Sequence, residues 1–318
     1  MFSKIKQTML RSPARNSGHW LRVVWCFEDG QEGHRRQLEG LVEALQTQQD
    51  LSVFWLHYYQ SSRDLPDPDL ILVCGRRTHW PGLRAHWRRG GWAVALMNPG
   101  LLRPLFDVCI MPEHDGLPMS RKQIVTRGPL NPLVPSSRGT REAGLLLIGG
   151  PSRHYRWDTE DLLRQIERLR CALPSVSWVV ATSRRTPESC VDALRSKSDT
   201  TFSVHTAIDT QPHWLPGKYA QCGITWVTPD SASMVYEALS SGAAVGVLGL
   251  TPRKPNRLQA GIDQLLASGC LVNLATLEQR GEMPAAVPPL REAQRAAAAL
   301  RARFIAQADK PHCSPIGK

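Results

Sequence analysis

Short continuous apolar runs alternate along most of the chain with segments whose apolar residues recur every three to four positions. Runs of the first kind predict buried β-strands, and segments of the second kind predict amphipathic helices. In the first half, strands are predicted at Leu21–Phe27, Leu51–His57, Leu70–Cys74, Trp92–Met97, Val108–Met111 and Ile124–Thr126. A helix carrying Leu38, Leu41, Val42 and Leu45 is predicted after the first strand, and a Trp- and Arg-rich helix near Trp80–Arg89 after the third.

The alternation restarts in the second half. Strands are predicted at Gly144–Ile148, Val176–Ala181, Phe202–His205, Thr225–Thr228 and Ala243–Leu248. Helices are predicted at Asp158–Leu173, Pro187–Leu194, His213–Gln221, Asp230–Ser241, Asn256–Ser268 and Leu290–Ile305. Because strands and helices alternate in both halves, we predict an α/β protein with two Rossmann-like, doubly wound domains that face a cleft.

The boundary between the halves is predicted from turn-forming residues. Residues 128–141 contain three prolines, two glycines and two serines, without a helical period, and form the best linker candidate. We predict a flexible basic N-terminus (1–19), an N-terminal domain (20–137), a linker (138–143), a C-terminal domain (144–285), and a C-terminal helix and tail (286–318).

Composition narrows the class of protein. With 318 residues, 42% of them hydrophobic, and a mean hydropathy of −0.28, the chain is long and apolar enough for two globular domains. Its eight cysteines form no Cys-x-x-Cys pair, which favours buried thiols in a reducing compartment over disulfides or a metal site. No apolar run approaches the roughly 20 residues that span a bilayer.

Basic residues dominate the charge. The net charge is +11, which attracts phosphate groups of a nucleotide, an anionic membrane or a nucleic acid. No zinc-finger, RNP-type or base-reading motif is present, so we expect no nucleic-acid partner. The N-terminal segment carries Lys4, Lys6, Arg11 and Arg15 without a secretory apolar region; a flexible extension is favoured over a mitochondrial transit peptide. We expect a cytoplasmic protein, with peripheral contact with an anionic inner membrane left open.

The most informative segment is residues 225–250, predicted to be strand, helix and strand. Pro229 ends the first strand, and Asp230 or Ser231 is predicted to cap the helix. Asp230, Ser233 and Glu237 recur on one helix face. A helix N-terminus suits a phosphate, and Glu237 lies roughly 10 Å further along, about the distance from a diphosphate to its ribose. The alternative is a solvated acidic face.

Two more loops of the second half combine small and basic residues directly after a strand. Gly149, Gly150, Ser152 and Arg153 follow one strand, and Ser183, Arg184 and Arg185 follow the next. Such loops can form a nest of backbone amides for phosphate, with cationic side chains beside it. The Gly-Lys-Thr ending of a P-loop is absent, so nucleoside triphosphate hydrolysis is unsupported. Structural turns remain the alternative.

In the first half, polar loops also follow strands. Asp29 and His34 follow the first strand, and His34 is a candidate base or phosphate ligand. Arg76 and Arg77 follow the third strand and suit a phosphate or carboxylate. His114 lies between two acids and is a candidate proton-transfer group. Each loop is equally compatible with an ordinary polar surface turn.

Five ordered motifs carry a family resemblance: GRRT (75–78), RGPLNP (127–132), LIGGPSRHYRW (147–157), TSRRTP (182–187) and VTPDSASMVYEAL (227–239). Together they resemble the mitochondrial fission ELM-type family, whose bacterial members are often described as nucleotide-sugar enzymes. The resemblance implies a GT-B-like architecture in which the C-terminal domain binds the nucleotide-sugar. It implies donor contacts at Ser231, Ser233, Glu237, Gly149, Gly150 and Ser152, and a base near the first βα turn, where Asp29 and His34 lie.

The leading hypothesis is a GT-B glycosyltransferase that transfers a sugar from a nucleotide-sugar to an envelope lipid or saccharide. Ser231, Ser233, Arg184 and Arg185 would contact the diphosphate, and Glu237 the ribose. No bound cofactor or metal is expected, because helix dipoles and arginines can stabilise the leaving diphosphate. The alternatives are a non-catalytic membrane-surface adaptor and a nucleotide-sugar epimerase of the same fold.

Overall fold

The computed structural model describes residues 21–113, 120–135, 139–211 and 214–308. Within these ranges the chain divides into two compact units. The first consists of the described residues of 1–126, Leu130–Pro132 and the described residues from Glu292 onward, and the second of Arg127–Pro129 and the described residues of Leu133–Arg291. Each unit has a six-stranded sheet whose strands are parallel to their neighbours.

The first sheet is built from runs that are apolar on both faces. Its strands are β1 (Val23–Glu28), β2 (Ser52–His57), β3 (Leu70–Cys74), β4 (Trp92–Leu96), β5 (Val108–Pro112) and β6 (Gln123–Thr126), in the spatial order β2-β1-β3-β4-β5-β6. Its first helices are α1 (Glu32–Gln46) and α2 (Arg76–Arg89), and a 3₁₀ helix spans Gly100–Leu105. Val24 and Cys26 lie in one core cluster, and Trp25 and Phe27 in another, because successive strand residues face opposite sides.

The second sheet follows the same plan. Its strands are β7 (Thr140–Ile148), β8 (Ser177–Thr182), β9 (Phe202–His205), β10 (Cys222–Val227), β11 (Ala244–Val247) and β12 (Val272–Asn273), in the order β12-β11-β10-β7-β8-β9. Its helices are α3 (Thr159–Ala172), α4 (Glu188–Arg195), α5 (Trp214–Gln221), α6 (Ala232–Ser241), α7 (Arg257–Ala267) and α8 (Leu274–Arg280).

Each sheet has one point where the direction of strand addition reverses. In the first unit this point lies between β1 and β3, and in the second between β7 and β10. The loops that follow these strand pairs diverge to opposite faces and leave a crevice at the carboxyl edge. Ligands of doubly wound sheets bind in this crevice, so these two places are where functional residues are expected.

The last helix, α9 (Glu292–Ala308), belongs to the first unit although it follows the second in sequence. Ala293, Ala296, Ala297, Leu300 and Phe304 are buried in the same core cluster as the apolar face of α1. The alanine side chains are small, which lets the two helices approach closely.

The prediction of two parallel, doubly wound sheets is confirmed. The predicted linker needs correction, because β7 begins at Thr140 and residues 140–143 are therefore strand. Thr140 pairs with Cys222 beyond a register shift, so the sheet extends past its apolar centre. Helix α2 begins at Arg76, earlier than predicted, and the short elements β12 and α8 were not predicted.

Three features bear on the expectations from composition. Of the helices that the structure describes, none is both long and apolar enough to cross a bilayer. Among the described cysteines, Cys26, Cys74, Cys109, Cys190 and Cys222 are buried thiols. Burial raises the pKa of Cys109 and of Cys222 to about 11, so these thiols stay protonated at neutral pH.

Candidate functional site

In the second unit, the loop after β7 contacts the loop after β10 at the point where strand addition reverses. The amide of Gly149 donates to Thr228 Oγ1 (2.8 Å), and the amide of Gly150 donates to Asp230 Oδ2 (3.1 Å). A Cβ on Gly149 would lie 2.3 Å from the Asp230 carboxylate oxygens, and one on Gly150 would lie 2.2 Å from the Arg185 carbonyl oxygen. Both glycines are therefore required by close approach of neighbouring loops.

The side chain of Asp230 is completely buried and holds three loops together. Its Oδ2 also accepts from Arg185 Nη2 at 2.6 Å, and Arg185 Nη1 donates to the carbonyls of Gly150 (3.0 Å) and Pro151 (3.2 Å). The other oxygen, Oδ1, is buried without a hydrogen-bond partner among the described residues. The partly exposed guanidinium of Arg185 thus balances the negative charge of the buried Asp230 carboxylate at the crevice.

Helix α6 begins at this crevice. Its N-cap residue is Ser231, one of the two predicted, although the serine side chain makes no capping hydrogen bond. Asp230, the other predicted cap, instead bonds to the loops after β7 and β8. Ser233 is half-buried, and Glu237 is only 5% exposed. The alternative of a solvated acidic face is wrong, because Asp230 and Glu237 are both buried.

The predicted serines of the other two loops hold local turns. Ser152 Oγ accepts from the amides of His154 and Tyr155, each at 3.2 Å. Ser183 Oγ accepts from the amide of Arg185 at 3.1 Å. Each hydroxyl is therefore used within its own loop, where it fixes the backbone that lines the crevice.

The predicted arginines differ in what they contact. Arg185 is bound to Asp230, as described above, whereas Arg184 beside it is exposed. Arg153 is also exposed, and its Nε donates to His154 Nε2 at 3.0 Å. Arg184 therefore offers a solvent-facing positive charge beside the loop that Arg185 anchors.

In the first unit, Asp29 and His34 meet at the reversal point between β1 and β3. His34 Nδ1 lies 3.0 Å from Asp29 Oδ1 and 3.1 Å from Oδ2, and Oδ1 also accepts from the amide of Gln31 at 3.2 Å. The Asp29 side chain is 6% exposed and that of His34 is 30% exposed. A buried carboxylate bound to Nδ1 assigns the proton of the neutral ring to Nδ1 and leaves Nε2 as an acceptor.

Gly75 covers this pair from the end of β3. Its φ of +94° is a conformation that favours glycine, and a Cβ there would lie 2.5 Å from both Asp29 Oδ2 and His34 Nδ1. His79 lies one turn into α2 and is buried. Burial is the main cause that lowers the pKa of His79, and the nearby Arg76 guanidinium lowers it further, which favours the neutral ring.

The remaining predicted residues of the first unit fall in two places. Arg76 and Arg77 are exposed in the first turn of α2, and the Arg77 guanidinium lies 5.8 Å from the Tyr58 ring centroid. His114 lies outside the described residues. The structure thus brings Asp29 and His34 together at one reversal point, and places Arg76 and Arg77 immediately after Gly75.

Sequence patterns missed residues that act through contacts between loops. Thr228 accepts the Gly149 amide, and Gln165 bonds both the amide (2.6 Å) and the carbonyl (2.9 Å) of Gly249 in the loop after β11. Gln165 is a buried polar residue on the apolar face of α3, and that mismatch is the signal that could have identified it. Within the described ranges, no three His, Cys, Asp or Glu residues are grouped to hold a metal ion.

The sequence matches the family Mitochondrial fission ELM1 over residues 32–304. The chain belongs to this family. No curated protein sequence matches it.

Solved structures with the same fold have low sequence identity to this ELM1-family chain. S. aureus MnaA in a co-structure with UDP has a TM-score of 0.56 at 13% identity, covering 93% of this chain and 100% of that chain. UDP-GlcNAc 2-epimerase from Neisseria meningitidis bound to UDP-GlcNAc has a TM-score of 0.53 at 14% identity, covering 90% and 100%. Acinetobacter baumannii MurG has a TM-score of 0.50 at 15% identity, covering 88% and 99%. The fold is thus that of GT-B glycosyltransferases and UDP-GlcNAc epimerases.

Proposed function

We propose that this ELM1-family chain is a glycosyltransferase that transfers a sugar from a nucleotide-sugar to a hydroxyl of an envelope lipid or a saccharide. The observation that carries the proposal is the position of the Gly149–Gly150 loop and of the α6 N-terminus. Both lie at the reversal point of the second sheet, where doubly wound folds bind nucleotides.

The donor is proposed to bind in the second unit. The N-terminus of α6 places positive dipole charge and first-turn amides at the crevice, and Ser231 does not occupy them with its side chain. Ser231, Ser233 and the exposed guanidinium of Arg184 would contact the diphosphate. Arg185 would act by holding Asp230 and the glycine loop in place. Glu237, roughly 9 Å beyond Ser231 along the helix, would bind the ribose hydroxyls.

His34 is proposed as the general base. Its Nε2 would take the proton of the acceptor hydroxyl while Asp29 holds Nδ1–H and stabilises the resulting imidazolium. The hydroxyl oxygen forms a bond to the anomeric carbon as the bond from that carbon to the nucleoside diphosphate breaks. The electron pair leaves on the diphosphate, whose charge the α6 N-terminus and Arg184 would stabilise.

Donor binding is tested by thermal unfolding of the full chain with UDP, GDP, CMP or ADP, because a ligand that binds only the native state raises its melting temperature. We expect UDP to give the largest rise, since MnaA was solved with UDP. Glu237→Gln should reduce the rise measured against its own ligand-free value. Glu160→Gln, an exposed glutamate in the first turn of α3, is the matched control. If no nucleotide stabilises the chain, or if both variants respond like wild type, the donor site is refuted.

Turnover is tested separately with a UDP-sugar and a panel of lipid and saccharide acceptors. His34→Ala should keep the nucleotide-induced stabilisation and lose acceptor-dependent release of UDP. Loss of both would show that His34 supports the fold or binding and would exclude it as the base. Full release by His34→Ala would exclude it as well.

An epimerase is the second candidate, because the UDP-GlcNAc 2-epimerase from Neisseria meningitidis has the same fold and was solved with UDP-GlcNAc. Incubation with UDP-GlcNAc in the absence of any acceptor distinguishes the two reactions. Appearance of an epimerised UDP-sugar would replace the transferase proposal. Nucleotide binding without any product would favour a non-catalytic adaptor.

A further inference from the structure

A second concave surface lies in the first unit, between helix α2 and the loop after β2. This groove of about 840 Å³ is lined by five aromatic side chains, Phe27, Tyr58, Tyr59, Trp80 and Trp87, and by four arginines, Arg63, Arg84, Arg88 and Arg89. No carboxylate is among its lining residues. The proposed sugar transfer uses none of these residues.

The aromatic residues are exposed to an extent that packing in the first unit does not explain. Tyr59 is 73% exposed, Trp80 57% and Trp87 55%, whereas Trp25 in the same unit is fully buried. The Trp80 and Trp87 rings contact each other edge to face, with centroids 6.3 Å apart. Large aromatics exposed as a contiguous patch mark an interaction surface more often than a solvent-facing one.

Helix α2 presents these residues on one face. Trp80, Arg84, Trp87 and Arg88 follow the i, i+4, i+7, i+8 spacing of a single helix face, and all four are exposed. The opposite face buries Thr78, His79, Gly82, Leu83 and Ala85. Helix α2 is therefore an amphipathic helix whose outer face is aromatic and basic.

The other wall of the groove is fixed in place. Arg89 donates to the carbonyls of Ser62 (3.1 Å), Arg63 (3.1 Å) and Leu65 (2.6 Å), and it pairs with Asp67. This pairing neutralises Asp67. The arginines that face outward, Arg84 and Arg88, have no carboxylate on their own helix, because α2 contains no acidic residue.

We propose that the aromatic and basic face of α2, with Tyr59 beside it, binds the surface of an anionic lipid bilayer. Tryptophan and tyrosine rings settle at the boundary between headgroups and acyl chains, because one part of each ring is apolar and another is polar. Arginines beside them attract anionic headgroups. The charge of the face is complementary to such a membrane, and the interleaved tryptophans supply the apolar insertion that a purely basic surface lacks.

The full chain is tested by co-sedimentation with phosphatidylcholine vesicles prepared with and without phosphatidylglycerol. We expect partitioning into the anionic vesicles only, decreasing with salt. Arg84→Gln with Arg88→Gln should reduce the partition coefficient about 30-fold, and Trp80→Ser with Trp87→Ser about 10- to 100-fold. Binding should also shift the tryptophan fluorescence of wild type to the blue, and the Trp80/Trp87 double variant should lose most of this shift.

The matched controls are comparable substitutions at exposed positions outside the α2 face. Arg280→Gln with Arg301→Gln removes the same charge from exposed positions, and Leu101→Ser with Ile208→Ser removes apolar side chains that are 99% and 93% exposed. Both controls should bind within about threefold of wild type, because neither changes the aromatic and basic face of α2.

Several results would overturn the proposal. One is equal loss of binding in the α2 variants and their controls. Another is loss only on neutralising Lys4, Lys6, Arg11 and Arg15, which would place binding in the N-terminal segment. Absence of binding to anionic vesicles would refute the proposal by itself. If α2-dependent binding of single-stranded oligonucleotides or α2-dependent dimerisation in light scattering were then found, it would identify a different occupant. None of these measurements involves a nucleotide-sugar, so they stand apart from the test of sugar transfer.

Discussion

Removing the guanidinium of Arg185 should destabilise the second unit through Asp230. In Arg185→Met the apolar stem is retained, while the fully buried Asp230 carboxylate keeps only the Gly150 amide among its described donors. Removing one partner of a buried ion pair typically costs 3–5 kcal/mol. Because the Arg185 side chain is 44% exposed, water replaces part of the lost interaction. We therefore expect the free energy of unfolding to fall by about 2–3 kcal/mol.

Scanning calorimetry and tryptophan fluorescence of the full chain measure this cost. For a domain of this size, 1 kcal/mol corresponds to a shift of about 2–4 °C, so the melting temperature of the second unit should fall by roughly 4–12 °C. Arg184→Met is the matched control, because Arg184 is the exposed neighbour in the same loop. Its unfolding free energy should change by no more than about 0.5 kcal/mol.

The pairing is isolated by adding Asp230→Asn to Arg185→Met. Once the side chain at position 230 is a neutral amide, loss of the guanidinium no longer leaves a buried charge. The free energy of unfolding of the double variant should therefore fall by less than the sum of the falls in the two single variants. A coupling near zero, or equal destabilisation by Arg184→Met and Arg185→Met, would refute the role assigned to this ion pair.

Three further predictions concern the first unit and Tyr155. Gly75→Ala should lower the free energy of unfolding, measured by chemical denaturation, by about 1–3 kcal/mol, because the new Cβ would displace the Asp29–His34 pair. The same variant should lose turnover and keep UDP binding; normal turnover would contradict this. Burial lowers the pKa of His79 below 6.5, so as the pH falls the unfolded state takes up the His79 proton before the folded state does. The free energy of unfolding should therefore decrease below pH 6.5, and it should decrease less steeply in His79→Leu. Burial raises the pKa of Tyr155 to about 12, so Tyr155→Phe should lessen the stability lost between pH 10 and 12; parallel pH profiles would refute either titration.

Sequence patterning predicted the sheets because parallel strands are buried on both faces and therefore form continuous apolar runs, as in β3. It failed where a strand continues beyond the core. Residues 140–143 are polar or small, and they are strand because Thr140 pairs with Cys222 from a distant segment. It also placed the start of α2 too late, because the helix begins after a glycine with positive φ and opens with two arginines.

For the site, the loops were predictable and their contacts were not. Polar and glycine residues after consecutive strands indicated which loops meet at a sheet edge, and Asp29 with His34 was found in this way. Asp230 was predicted as one of two possible caps of its own helix, because local spacing is all that a sequence displays. Its actual partners, Gly150 and Arg185, come from loops that only the spatial order of β7, β8 and β10 brings together.

The position of α9 has a consequence for the order in which the protein is made. Most of the first unit precedes the second in sequence, but part of its core is supplied by Ala296, Leu300 and Phe304, which leave the ribosome after the second unit. Until then, the apolar face of α1 that α9 covers is open to water or to a chaperone. All residues of the second unit are made before α9, so it can complete its fold during synthesis while the first unit waits for α9.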